Sequence, residues 1–321
     1  MSLYSVLAKA SKSIFNEKKY EKLVSLEDVF DATAACPACG DTSKRSAVCK
    51  IQSDPLVEFL HCENCKGNSA SLMPTDAYLA SYYSNYYSGS DKEVTFTGKI
   101  ERFADHICKY LKFDAGKEIV TIMDFGGGDG SIAIQIGKSI LAKNKQIKKV
   151  KILLVDFQLQ QGFDDGTIEF QSVAGLNEVT HPYDVVFASA IIEHIPKIHE
   201  TMQQIFKLVA DEGYFYARVP YIMPFKKIFK SMPMLYPMHV HDLGPSFWNR
   251  IIERYKLNAV VVASQPPLPE TEYKERFLYT LLGHIFKLPA YIDIKLRNPK
   301  DLVWNYVAGW EYLMQKNKKA A

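Results

Sequence analysis

From position 119 the chain changes rhythm. Apolar runs at 119–125, 150–157 and 183–188, with a shorter one at 167–171, are separated by stretches at 131–143 and 197–209 whose apolar residues recur at helical spacing. Short apolar runs bounded by turn residues read as buried strands, and strands that take turns with helices build a largely parallel sheet. The pattern continues through a strand at 213–220, an irregular stretch to about 243, a helix at 245–255 and a strand at 259–264. Beyond it, 273–289 and 299–308 carry helical spacing, and 310–315 reads as a final edge strand. Ahead of position 119 the signals differ. Two short runs at 46–51 and 56–61, with Pro55 between them, predict a hairpin, and an amphipathic helix is expected at 99–113. Between hairpin and helix lie Tyr78, Tyr82, Tyr83, Tyr86 and Tyr87, read as cover for a domain junction.

This layout divides the chain into an N-terminal helical segment (1–30), a small hairpin unit (31–74), a Tyr-rich junction with its leading helix (75–118) and an α/β domain (119–321) with insertions near 221–243 and 270–310. A length of 321 residues, 47% hydrophobic and 23% charged, suits one medium domain plus a small module. Lys and Arg number 39 against 36 Asp and Glu, and a net charge of +3 argues against nucleic acid as partner. Residues 1–20 interleave Lys9, Lys12, Glu17, Lys18 and Lys19 among their apolar positions, which breaks any signal-peptide run. No later segment reaches about 18 uninterrupted apolar residues, so no transmembrane segment is expected and the location read from the sequence is cytoplasmic. The oligomeric state is not legible from these features.

In a reducing compartment, paired cysteines more often hold metal than form disulfides. Four of the six cysteines fall in two matching turns, Cys36-Pro-Ala-Cys39-Gly40 and Cys62-Glu-Asn-Cys65-Lys-Gly67. Two such turns aim four thiolates at one ion and leave no coordination position open, which predicts a structural zinc ribbon. Cys49 and His61 are the nearby spare ligands, expected instead as a buried thiol and a surface imidazole, and Cys108 is expected in the core.

The first apolar run ends in Asp124-Phe-Gly126-Gly-Gly128-Asp-Gly130, directly ahead of a helix. A strand, a glycine turn and a helix in this order bring a ligand against bare backbone. The dinucleotide fingerprint counted from Gly126 needs Gly or Ala at position 131, where Ser131 stands. The next strand ends in Asp156-Phe157, an acid placed to accept both hydroxyls of a ribose.

These residues resemble the D-x-G-x-G-x-G motif of class I S-adenosylmethionine (SAM)-dependent methyltransferases, and the segment from Tyr183 to Ile195, with Glu193-His194, resembles that family's fourth strand and its sequel. The resemblance spans roughly residues 99 to 264. It implies an α/β, Rossmann-like seven-stranded SAM methyltransferase fold with a small N-terminal zinc ribbon. It further implies that Asp124, Gly126, Gly128 and Gly130 surround the methionine part of SAM, that Asp156 holds the ribose and that Phe157 lies against adenine. Gln171, with Ser172 where an acid is common, and Ala188 supply the expected contacts from the third and fourth strands.

The N/D-P-P-Y/F run of amino-group methyltransferases is missing, since Ala188-Ser189-Ala190-Ile191 stands there, and no cysteine nucleophile lies in the fourth or fifth strand. A cysteine module, a Tyr-rich junction and a Glu-His methyltransferase domain look most like bacterial methyltransferases of sugars, including nucleotide-linked deoxysugars and surface glycans. The acceptor expected is thus a small molecule or saccharide. Glu193, His194, and His239 and His241 of the 232–243 segment are the candidate catalytic residues, with a histidine as general base. Two alternatives stand: a ribosomal or transfer RNA methyltransferase with a zinc module, against which the charge balance argues, and a SAM-fold binding module that has lost catalysis.

Overall fold

The computed structural model describes residues 24–88, 100–230, 232, 234–267 and 277–318. Most of the N-terminal segment expected at 1–30 lies outside the described residues, as do Gly89 and Ser90 of the junction and the start of the helix expected at 273–289. The chain opens with β1 (Val29–Asp31), the hairpin β2 (Ser46–Ser53) and β3 (Leu56–His61), then β4 (Asn68–Ala70) and β5 (Leu72–Pro74). β2, β3 and β4 pair antiparallel, and β1 pairs with β5. The tyrosine-rich stretch is helix α1 (Asp76–Ser88). After α2 (Ile100–Cys108) comes the predicted alternation: β6 (Ile119–Phe125), α3 (Ser131–Lys143), β7 (Lys149–Val155), the short β8 (Phe163–Asp164), β9 (Ile168–Val173), β10 (Tyr183–Ser189), α4 (Ile198–Lys207) and β11 (Val209–Pro220). The remainder comprises α5 (Met223–Ile228), β12 (His241–Asp242), α6 (Pro245–Trp248), α7 (Ile251–Arg254), β13 (Ala259–Gln265), α8 (Phe277–Arg297) and β14 (Gly309–Lys316).

The main sheet runs β13-β14-β11-β10-β6-β7-β9-β8. Its five central strands are parallel, from β11 to β9. The chain leaves β6 toward β7 and β9, then crosses back to β10 on the other side of β6. This reversal opens a crevice at the carboxyl ends of β6 and β10, where open α/β sheets bind ligands. Both faces are covered: Val120 and Ile122 share a core with Phe103 and Ile107 of α2 and Ile136 and Ile140 of α3, while Met123, Val186 and Phe215 share one with Met202 and Ile205 of α4. Strands buried on both sides explain why the sequence shows continuous apolar runs there.

The C-terminal half departs from the pattern in several places, one being α8, which runs through Pro289, the expected helix end, to Arg297. The stretch expected to be irregular to about 243 contains α5 and β12, and β12 pairs antiparallel with β4, so it completes the N-terminal sheet. The helix expected at 245–255 is broken at Asn249, whose side-chain amide donates to the carbonyls of Pro299 and Lys300 at 3.1 and 3.3 Å. No helix forms at 299–308; α8 stops at Arg297, where Asn298 adopts a φ of 45° and Pro299 lacks the N–H that a continuing turn would use. The strand expected at the edge, β14, lies inside the sheet, antiparallel to both β11 and β13. Trp310, Tyr312 and Met314 fill one core and Leu313 the other, so neither face of that strand meets water.

The cysteine unit packs into the rest of the chain. Cys36, Ala38, Cys62 and Cys65 share a core with Leu243, Phe247 and Trp248, and Val57, Phe59, Met73 and Tyr78 share another with Ile222, Tyr236 and Val240. Among the described residues, no helix is long and apolar enough to cross a membrane.

Candidate active site

The glycine turn carries the chain from β6 into α3 with Gly126, Gly128 and Gly130 at φ of 70°, 62° and 72°, a region that residues with a Cβ rarely adopt. A Cβ on Gly126 would stand 2.3 Å from the Ile191 side chain, whereas nothing lies within 4 Å of one on Gly128. The turn is thus closed on one side by the segment after β10 and open on the other. Asp124, 3% exposed, leaves its Oδ2 buried without a hydrogen-bond partner. Burial, with the charges of Asp156 and Asp129 nearby, pushes its carboxyl up to about 7.

Asp156 follows β7. Its Oδ2 accepts the Gly128 N–H and its Oδ1 the Gln158 N–H, each at 3.0 Å. These bonds orient the carboxylate and leave it lone pairs for other donors. Burial raises its pKa, and the two N–H groups partly offset that. Phe157, 54% exposed, stands beside it with its ring 5.9 Å from that of Tyr83. Ala188 is buried in β10 opposite Ala217. Gln171 is placed differently from expectation: it pairs with Leu153 before the end of β9, and its Nε2 donates to Glu169 at 3.2 Å on the exposed side of the strand. That side chain is spent on a surface contact, and the end of β9 is formed by Ser172 and Val173.

Across the crevice, β10 leads into a 3-10 turn, Ile192–His194. Glu193 is 1% exposed, its Oε2 has no partner, and burial pushes its carboxyl up to about 8. His194 Nδ1 forms a 3.0 Å hydrogen bond with the Tyr83 hydroxyl, and its Nε2 lies 3.7 Å from Glu193 Oε1. The ring of His239 stands perpendicular to that of His194 with centroids 4.6 Å apart. Burial lowers His194 to about 4 and holds His239 well below its ordinary value, so both imidazoles are neutral at physiological pH. Glu193, His194 and His239 therefore converge, although they come from two segments far apart in sequence.

His241 does not join them as a base. Its Nε2 donates to the Ile195 carbonyl and its Nδ1 accepts from the Ser69 hydroxyl, both at 2.8 Å, which leaves no free lone pair on the ring. Its neighbour Asp242 accepts the backbone N–H groups of Ile222 at 2.7 Å and Met223 at 3.3 Å. A backbone bond from Val240 N–H to the Glu193 carbonyl, 2.8 Å, and one from Ala70 N–H to the Val240 carbonyl, 2.9 Å, tie the 3-10 turn to the cysteine unit. Tyr83 is the site residue that sequence reasoning assigned only to a junction. The pair Tyr82-Tyr83, next to no other chemistry in the sequence, carried no signal that one hydroxyl would reach His194.

The sulfur atoms of Cys36, Cys39, Cys62 and Cys65 all lie within 4.8 Å of one another, with Cys36–Cys65 and Cys39–Cys62 at 3.7 Å. Four sulfurs about 2.3 Å from a tetrahedral zinc stand roughly 3.8 Å apart, so spacing and donor type fit that ion. Cys49 packs against the hairpin core, His61 Nδ1 bonds Asn68 Oδ1 at 2.9 Å, and Cys108 is buried.

The sequence profile of the family described as "Methyltransferase domain" matches residues 95–261, just over half of the 321. The chain belongs to that family. It is a SAM-dependent methyltransferase of the class I fold, and the matched span contains the glycine turn, Asp156 and Glu193-His194 but not the cysteine unit. Among curated proteins the methyltransferase has no sequence match. Solved structures similar to the methyltransferase include a SAM-dependent methyltransferase from Methanosarcina mazei (12% identity over 67% of this chain and 98% of that one, TM-score 0.39). Others are the plantazolicin methyltransferase BpumL in complex with a triazolic desmethylPZN analog and SAH (15%, 76% and 92%, TM-score 0.42), and coclaurine N-methyltransferase bound to N-methylheliamine and SAH (11%, 68% and 70%, TM-score 0.38).

Proposed function

We propose that this methyltransferase acts on a small molecule or saccharide, a nucleotide-linked sugar or surface glycan, at a hydroxyl oxygen or a carbon next to a ketone. The observation that carries this reading is the position of Tyr83, whose ring lies beside Phe157 and whose hydroxyl meets His194. One side chain thereby joins the expected adenine wall to the expected base. An orphaned buried carboxyl at Asp124, bare backbone at Gly126–Gly128 and an oriented carboxylate at Asp156 fit the ammonium, the methionine chain and the ribose of SAM. SAM supplies an electrophilic methyl group on a sulfonium centre.

The protein's own residues then have two tasks, to hold an acceptor in line and to take its proton. A neutral His194 or His239 can take that proton, and the positive charge that results favours ionisation of the Glu193 carboxyl beside His194. Tyr83 sets the ring's orientation through Nδ1. The four cysteines hold a structural zinc that keeps the N-terminal unit folded against the acceptor side of the crevice. A screen for S-adenosylhomocysteine (SAH) release over nucleotide sugars, glycans, small phenols and RNA tests the acceptor class. Release with a saccharide or small molecule is expected, and release with RNA alone would overturn it.

A further inference from the structure

Among the described residues, Glu193, His194 and His239 form a cluster of metal-ligating side chains separate from the four cysteines. We propose that these three residues bind a divalent first-row transition-metal ion. Each offers one donor atom, and the three atoms lie within 4.8 Å of one another, with Glu193 Oε1 and His194 Nε2 3.7 Å apart. An ion at about 2.1 Å from imidazole nitrogen and carboxylate oxygen bridges donors up to roughly 4.2 Å apart. The Glu193–His194 pair already meets that limit, and a small side-chain shift brings in His239.

Two independent features support a cation here. The Glu193 carboxyl, whose Oε1 faces His194, leaves its Oε2 buried with no hydrogen-bond partner, a costly arrangement that an ion or a donor relieves. The Tyr83 hydroxyl holds His194 through Nδ1, the support that ligating histidines commonly receive, with Nε2 3.7 Å from Glu193 Oε1 and the Met238 carbonyl also against the ring. Arg218 lies close enough to Glu193 to oppose a second cation, so loose electrostatic attraction does not suffice and direct bonds to the imidazoles must hold the ion. Two imidazoles and one carboxylate suit iron, cobalt, nickel or zinc rather than magnesium or calcium. Coordination occupies the same lone pair that proton removal uses, so a metal-loaded site and a histidine base exclude one another and the bound ion is inhibitory.

The test is a cobalt(II) titration of the full chain with its cysteine site loaded beforehand with zinc. One further cobalt per chain is expected, with visible ligand-field absorption and no sulfur-to-cobalt charge-transfer band. Glu193→Gln and His239→Ala should each weaken that binding at least about tenfold while zinc content stays constant. Anomalous scattering at the cobalt edge from a soaked crystal places the ion without any variant, so the proposal is decided even where a variant fails to fold. No cobalt beyond the cysteine site, or an ion located away from these three residues, overturns it. Neither readout depends on knowing the acceptor, so the result stands apart from the fate of the proposed methyl transfer.

Discussion

A buried carboxyl with an unpartnered oxygen, as in Asp124, keeps its proton to higher pH in the folded chain than in the unfolded one. With the folded value at about 7 and the unfolded one near 3.9, the native state binds the extra proton between those limits. Stability of the cofactor-free protein from this group is therefore highest below pH 4 and declines as pH rises toward 7. An ammonium group brought beside the carboxyl favours its ionised form. SAH should accordingly bind more tightly at pH 8 than at pH 6, and Asp124→Asn should lose both affinity and that pH dependence. Calorimetry at the two pH values reads this, and equal affinities in the wild type would contradict it. Asp156→Ala removes the carboxylate that Gly128 and Gln158 orient, and should weaken SAH binding by about 1–3 kcal/mol through lost charge-assisted hydrogen bonds. Unchanged affinity would place the ribose acid elsewhere. Both acids were legible in the sequence, since each closes an apolar run. The engagement of both His241 nitrogens was not, because Ser69 and the Ile195 carbonyl reach it only through folding.

β6 and α3 fall on the residues that the pattern assigned, because the glycine turn punctuates one end of each. β14 was misplaced at an edge for the opposite reason. Its Glu311 is a charged residue in a strand buried on both faces, and its partners, His106 at 2.7 Å and Gln265 at 2.6 Å, come from α2 and β13. β12 spans two residues and has no periodicity to read, yet it joins the cysteine unit to the 3-10 turn of Glu193 and His194. Asp242 secures that junction by accepting the Ile222 and Met223 N–H groups in the buried interior. Asp242→Ala would leave those donors unsatisfied, and a loss of about 1–3 kcal/mol in a urea unfolding curve is expected. An unchanged midpoint would mean that water or another acceptor replaces it.

At the scale of the whole molecule, the cysteine unit and the α/β domain share cores and a sheet, so the four-cysteine cluster and the candidate crevice are mechanically linked. A closed four-sulfur site contributes folding free energy directly. Metal analysis of freshly reduced protein should give one zinc per chain, and Cys62→Ser should lower thermal stability and turnover together. A zinc content near zero in the wild type would remove this link. The central claim is that cofactor binding and proton removal reside on opposite walls of one crevice, joined by Tyr83 and His194. It is tested most directly by following SAH release from the wild type and His194→Ala on one turned-over acceptor, with SAH affinity measured on the same samples. The account predicts a fall in turnover of about 10²–10⁴-fold with affinity nearly intact. Full turnover in His194→Ala, or a matching collapse of SAH affinity, would contradict it.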